Sequence, residues 1–313
     1  MWLILAFISA TLLGCYDSCK KKALQTNTVA NVLFLNTLFS SLFFLPFILL
    51  SAFSNCIDHS IFYVPLAGWG VHKYILFKSL LVLSSWILGY MGMKHLPLTI
   101  VGPINATRPV LVLVGAMLVF GEQLNLYQWI GVTLAAISFF LLSVSSKREG
   151  IDFRHNRWIL AIVGAAMLGA LSALYDKFLM APAAEGGMGM NRMIVQSWFN
   201  IYQCFMMGIV IFLLARKAEP ERAKGTHSSL DAVRSLPFIL LVSVFLCAAD
   251  FVYFYALSLD DAMISIVSMI RRGSVIVSFL FGAFFLHEKN LWNKAADLLL
   301  VLLGMVFLYI GSH

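Results

Sequence analysis

Hydrophobic residues form long blocks along the whole chain, and short polar segments separate them. An α-helix needs about 20 apolar residues to cross the hydrocarbon core of a bilayer, and ten blocks reach that length. They cover residues 2–21, 30–52, 73–93, 97–120, 126–146, 157–180, 193–215, 236–257, 262–286 and 291–311. The pattern therefore predicts an all-α polytopic membrane protein with ten transmembrane helices.

Composition agrees with this fold class and excludes several functions. The chain is 61% hydrophobic and only 12% charged, whereas about 25% of a typical soluble domain is charged. The net charge of +7 comes from basic residues in short connections, so it indicates topology and not nucleic-acid binding. There is no P-loop, nucleophile elbow or metal-ligand spacing. We therefore expect no enzyme activity, no catalytic residue, no cofactor and no metal.

The two halves of the sequence resemble each other. Three segments recur in the same order, at offsets of 159 or 164 residues: Tyr16-Asp17 with Tyr175-Asp176, Phe34-Leu35-Asn36 with Trp198-Phe199-Asn200, and Arg108-Pro109 with Arg272-Gly273. An odd number of spans in each copy gives the copies opposite orientations. The prediction is two inverted five-helix repeats, residues 1–147 and 157–313, with a substrate site near the membrane midplane where the repeats meet.

A further pair of segments points to a known family. Gly121-Glu122 closes the fourth predicted span, and His287-Glu288 closes the ninth. With the five-plus-five pattern, the chain resembles the EamA-type proteins of the drug/metabolite transporter superfamily over nearly its whole length. The resemblance implies a central cavity and transport of a small metabolite by alternating access. We place such a protein in the cell's inner (plasma) membrane, as a multi-pass protein.

Arginines inside predicted spans are the first candidates for substrate binding. An arginine at mid-membrane depth is costly and is retained mostly where it has a function. Arg108, Arg271 and Arg272 meet this description, and a guanidinium pairs bidentately with carboxylate or phosphate. Asn105 lies one turn before Arg108. These residues predict secondary transport of a small anionic or zwitterionic organic metabolite. The alternative is export of neutral amino acids or apolar drugs, with the arginines purely structural.

Acidic residues inside the spans are candidates for coupling or counter-ion roles. Asp17 and Asp176 occupy matching positions, and Asp250 has no acidic counterpart in the first half. Asp17 either pairs with a lysine at 20 or 21 or takes part in coupling. Asp250 is predicted as a counter-ion for Arg272 or Arg108, with proton coupling as the other role. Lys177 joins this group, although consecutive helical residues do not face each other.

Other polar and aromatic side chains could complete the site. Gln196, Asn200 and Gln203 form a polar stripe that we expect to face the cavity, and Tyr253 could stack on a ring. Asn36 and Asn200 are predicted to bridge helices. The predicted partners are a small-molecule substrate and the lipid bilayer, with proton or exchange coupling. The sequence does not define the oligomeric state.

Basic residues also predict the orientation in the membrane. Most Lys and Arg residues fall in the odd-numbered connections, and we counted Lys20, Lys21 and Lys22 there; the even-numbered ones hold only Lys73, Lys78 and Arg192. By the positive-inside rule the odd connections are cytoplasmic and both termini lie outside. The family resemblance favours the opposite orientation.

Overall fold

The computed structural model of the chain describes residues 2–54, 57, 60–108, 110–112, 114–115, 125–127, 129–131, 133–134, 137, 141, 156–180, 187–217, 229–257, 267, 270–271, 273–285 and 291–311. In these ranges the protein is helical with short connections, and no strand occurs in them. The helices are α1 (Trp2–Thr26), α2 (Val29–Phe53), α3 (Trp69–His95), α4 (Leu98–Ala106), α5 (Arg157–Met180), α6 (Arg192–Lys217), α7 (Ser229–Leu257), α8 (Ser274–Phe285) and α9 (Leu291–Ile310). The predicted fifth span, 126–146, lies largely outside the described residues.

Five of these helices are long and apolar enough to cross a bilayer, counting only the part of the chain that the structure describes. They include Val29–Phe53, Trp69–His95, Arg157–Met180, Arg192–Leu214 and Leu236–Ala256. Large apolar side chains such as Phe53, Leu80 and Phe212 point outward and are more than half exposed. An apolar exterior of this kind is stable against lipid and unstable in water. The chain is therefore a multi-pass membrane protein, as its hydrophobic blocks predict.

Serine residues mark where the helices pack most closely. Ser9 of α1 donates to the carbonyl oxygen of Ala249 in α7 at 2.7 Å, and Ser85 of α3 donates to that of Ala165 in α5 at 2.8 Å. Ser41 of α2 donates to the carbonyl oxygen of Asn200 in α6 at 2.9 Å. Small side chains let apolar helices approach and bond in this way. The α1–α7 and α3–α5 pairs have the most extensive contacts in the described bundle.

Asn36 joins three helices in the middle of the bundle. Its Nδ2 donates to the hydroxyl of Tyr90 in α3 at 3.4 Å, and its Oδ1 accepts from Ser243 of α7 at 3.0 Å. The predicted helix-bridging role of Asn36 is confirmed. The side chain of Asn200 instead donates to the carbonyl oxygen of Gln196 in its own helix at 2.8 Å, so only its backbone bonds to α2.

Candidate functional site

A cavity of about 180 Å³ separates the α1–α7 pair from the α3–α5 pair. Residues at the end of α4, at the start of α8 and on α6 complete its wall. Aromatic side chains supply much of the apolar lining: Tyr16, Trp86, Tyr90, Phe199, Tyr253 and Phe254. The remaining lining is unusually charged for the interior of a membrane protein, since it holds four basic and three acidic side chains.

Three ion pairs account for all three carboxylates of the cavity: Lys20 with Asp17 at 2.6 Å, Lys78 with Asp176, and Arg271 with Asp250. The first pair lies within α1, where residues three apart face each other, and it confirms the predicted pairing of Asp17. The second joins α3 to α5. The third pair gives Asp250 the predicted counter-ion role, but its described partner is Arg271 and not Arg108; the other predicted partner, Arg272, lies outside the described residues.

Among the cavity cations that the structure describes, Arg108 alone forms no ion pair with a carboxylate. Its guanidinium lies against the backbone of Gly169 in α5, where a Cβ atom would be 2.9 Å from Cζ. Its Nε is buried and has no hydrogen-bond partner. The guanidinium also interacts electrostatically with Asp17 and Arg271. The cavity therefore holds one positive charge, among its described side chains, that no side chain neutralises.

Asn105 provides an acceptor in the same cavity. Its Oδ1 is buried without a hydrogen-bond partner, and the residue lines the cavity together with Arg108. The helix α4 ends at Ala106, between the two residues, so it is the cavity and not helical spacing that relates them. The cavity therefore offers a ligand both a cation and a hydrogen-bond acceptor.

Other predicted site residues lie elsewhere or outside the described residues. Tyr253 lines the cavity, with Arg271 4.3 Å from its ring centroid. Gln196 is fully buried outside the lining, and its Nε2 donates to the carbonyl oxygen of Cys247 at 3.4 Å. The expectation that Gln196 faces the cavity was wrong, because Phe199 is the α6 residue on that face. Arg272 and the side chain of Lys177 lie outside the described residues.

Sequence reasoning missed two buried lysines. Lys78 is 2% exposed and Lys20 7% exposed, and both line the cavity. The orientation argument assigns both lysines to the connections between spans, although residue 78 falls well inside the predicted third span. Lys21 was also misplaced: its ammonium donates to the carbonyl oxygens of Met93 and Leu96 at 2.7 and 2.5 Å. An ionisable residue inside a span indicates function, and that signal was present in the sequence.

The comparisons with known proteins agree with this architecture. Residues 1–144 match the EamA-like transporter family. The family is part of the drug/metabolite transporter superfamily, and the match indicates a membrane transporter of small molecules. It agrees with the prediction that the chain is not an enzyme.

The fold match extends over the whole chain. A protein of known crystal structure is similar with a TM-score of 0.63, over 99% of this chain and 96% of the other. The two sequences are 11% identical, so the similarity concerns the fold alone. No curated protein matches the chain.

Proposed function

We propose that this protein is a secondary active transporter of a small organic metabolite with an acidic group, either anionic or zwitterionic. The observation that carries the proposal is the unpaired Arg108 in a cavity whose other described cations are neutralised. A buried charge without a partner is strongly destabilising. A carboxylate or phosphate oxygen from a ligand would relieve that cost.

The charge of the site limits the charge of the ligand. One surplus positive charge is matched by one net negative charge, or by a zwitterion that places its carboxylate on Arg108. Oδ1 of Asn105 then accepts a hydrogen bond from an N–H or O–H group of the same ligand. The aromatic lining contacts the rest of the molecule.

The architecture that we propose is ten transmembrane helices in two inverted repeats, residues 1–147 and 157–313. Helix packing supports it. Exchanging α1 with α5, α2 with α6 and α3 with α7 turns the α1–α7 contact into the α5–α3 contact and leaves the α2–α6 contact unchanged. A cavity between two such pairs suits alternating access, in which one repeat rocks against the other.

The energy source that we propose is a gradient or exchange, because the chain has no nucleotide-binding motif. Asp17, Asp176 and Asp250 act as counter-ions to the cations of the cavity, and we propose them as the carriers of a coupled proton. We place the protein in the inner, or plasma, membrane.

Thermal stabilisation of the purified protein tests the assignment of Arg108. A ligand at 100 times its Kd raises the unfolding free energy by about 2.7 kcal/mol. We would compare benzoate with benzyl alcohol, lactate with propane-1,2-diol, and phenylalanine with phenylethylamine. Each pair differs mainly in the carboxylate.

We expect at least one carboxylate ligand to stabilise the wild type, and its uncharged or cationic analogue to have no effect. Arg108→Gln should lose that response, while Arg157→Gln, which changes an exposed arginine, should keep it. Equal responses of the wild type and Arg108→Gln would refute the assignment. Stabilisation by the uncharged compounds would then favour a transporter of neutral or apolar molecules.

A further inference from the structure

The cavity contains two similar clusters, each made of a lysine, an aspartate and two aromatic rings. The Lys20 station consists of Lys20, Asp17, Tyr16 and Tyr90. The lysine ammonium bonds to Asp17 at 2.6 Å and lies 4.2 and 5.0 Å from the centroids of the Tyr16 and Tyr90 rings. The two tyrosine hydroxyls hydrogen-bond to each other at 3.1 Å, which joins α1 to α3 at this point.

The Lys78 station consists of Lys78, Asp176, Phe199 and Phe254. Its ammonium bonds to Asp176 and lies 5.5 Å from the centroid of each phenylalanine ring. The four residues come from four helices, α3, α5, α6 and α7, and all of them line the cavity.

The stations lie at opposite ends of the cavity. Lys78 and Tyr90 are both on α3, and at 1.5 Å per residue they are separated by about 18 Å along its axis. The Lys20 station includes Tyr90, in the last turns of α3, while the Lys78 station includes Asp176 and Phe254, in the last turns of α5 and α7. The two clusters therefore lie at different levels of the cavity.

The sequence repeat relates the two stations. The offset of 159 residues places Asp17 on Asp176, and the offset of 164 residues that pairs Asn36 with Asn200 places Tyr90 on Phe254. Two members of one station therefore have equivalents in the other. The two lysines are not at equivalent positions, because both belong to the first half of the chain. The Lys78 station therefore combines a lysine of the first half with an aspartate and two aromatic residues of the second half.

Both ammonium groups retain donors for a ligand. An ammonium has three N–H groups, and among the described residues each lysine donates to one carboxylate oxygen only. Aromatic ring faces attract the charge but accept no strong hydrogen bond. At 7% and 2% exposure, neither lysine has bulk water around it, so a ligand oxygen would satisfy the remaining donors.

Two arginines lie in the same cavity as the stations. Arg108 and Arg271 line it together with Lys20 and Lys78, and Arg271 forms an ion pair with Asp250. An anion inside the cavity is therefore exposed to four cations.

We propose that Lys20 and Lys78 are two anion-binding subsites, one near each membrane face, and that the acidic group of the substrate passes between them by way of Arg108. Each lysine receives the substrate from its own face. This inference rests on the proposed transport of an acidic metabolite, and it adds the residues that select the substrate on each side.

Transport from the two faces can be measured separately in right-side-out and inside-out membrane vesicles. The probes are radiolabelled benzoate and lactate, and the readout is the concentration that gives half-maximal uptake. The variants are Lys20→Gln and Lys78→Gln. The controls, Lys22→Gln and Lys73→Gln, change exposed lysines of the same two helices.

We expect Lys20→Gln to raise the half-saturating concentration at least about tenfold in one vesicle type, and Lys78→Gln to do so in the other, as the loss of a charged hydrogen bond predicts. The controls should match the wild type. The paired variants Asp17→Asn/Lys20→Gln and Asp176→Asn/Lys78→Gln, which leave no unpaired carboxylate, should show the same one-sided effects if the single variants fold poorly.

A defect of equal size in both vesicle types, or no defect, would overturn the two-subsite proposal while leaving the proposed function intact. Failure of wild-type vesicles to take up either probe would instead reject the transport of an acidic metabolite, and the subsites with it.

Discussion

Gly169 allows Arg108 to occupy its position, and adding one methyl group there tests the role of the arginine without changing any charge. A Cβ atom on residue 169 would lie 2.9 Å from both Cζ and Nη1 of Arg108 and 3.1 Å from Nε. Carbon atoms in favourable contact are about 3.5–4.0 Å apart. In Gly169→Ala the guanidinium must therefore move by at least about 0.5 Å.

That displacement is large for a binding site and small for the fold. Functional groups have to be held within about 0.5 Å of their productive positions, and a charged hydrogen bond contributes about 1.5–3 kcal/mol. Loss of half of that interaction weakens carboxylate binding by about three- to tenfold. Alanine is a better helix former than glycine by up to about 1 kcal/mol, so the helix itself is not weakened.

The assay is a calorimetric titration of the purified protein with benzoate, together with thermal unfolding without ligand. Gly89→Ala is the matched control: Gly89 also lines the cavity from a helix, and its added Cβ would lie 3.6 Å from that of Ala165, an ordinary contact. We expect weaker binding in Gly169→Ala only, with unfolding temperatures at or above that of the wild type. Unchanged benzoate affinity in Gly169→Ala would refute the placement of Arg108 in the binding site.

Two further predictions concern stability. Lys78→Met leaves the Asp176 carboxylate buried without its partner and should lower the unfolding free energy by about 3–5 kcal/mol, whereas Lys78→Met/Asp176→Leu should recover most of the loss. A double-mutant cycle from thermal unfolding in detergent measures the coupling energy between the two residues. Additive losses of stability would contradict the ion pair. Gly92→Ala forces a Cβ atom against the Ile162 side chain and to 3.0 Å from the Trp158 carbonyl oxygen, so we expect the unfolding free energy to fall by about 1–3 kcal/mol. Stability equal to that of the wild type, measured by the same thermal unfolding, would show that α3 and α5 are less closely packed.

Local features of the site were predictable from the sequence. Asp17 and Lys20 are three residues apart, and helical geometry brings such residues together whatever surrounds them. Arg108 and Asn105 have the same spacing, but α4 ends between them at Ala106, so this spacing did not fix their relative position. The depth of Asp17 and Arg108 in apolar blocks also identified them as candidates, because an ionisable group inside the membrane is retained mainly for a function.

Contacts between helices were not predictable in the same way. Lys78 pairs with Asp176, 98 positions further along the chain, and nothing local selects that partner over the other acids. Gln196 was expected at the cavity, but the α6 face that carries it packs away from the cavity. Most helices are apolar almost all round, and the polar stripe of α6, formed by Gln196, Asn200 and Gln203, does not line the cavity. Polar residues therefore did not show which side of a helix faces the cavity.

The sequence by itself therefore determined that the chain is a helical membrane protein with charged residues inside its apolar blocks, because these properties depend on the hydrophobicity and spacing of neighbouring residues. Only the tertiary structure decided which carboxylate neutralises which cation, and so left Arg108 as the described cavity cation without a carboxylate partner. Ion pairing inside a membrane depends on distances of a few ångströms between side chains on different helices. Those distances are set by how the helices pack, and the packing involves the whole chain at once.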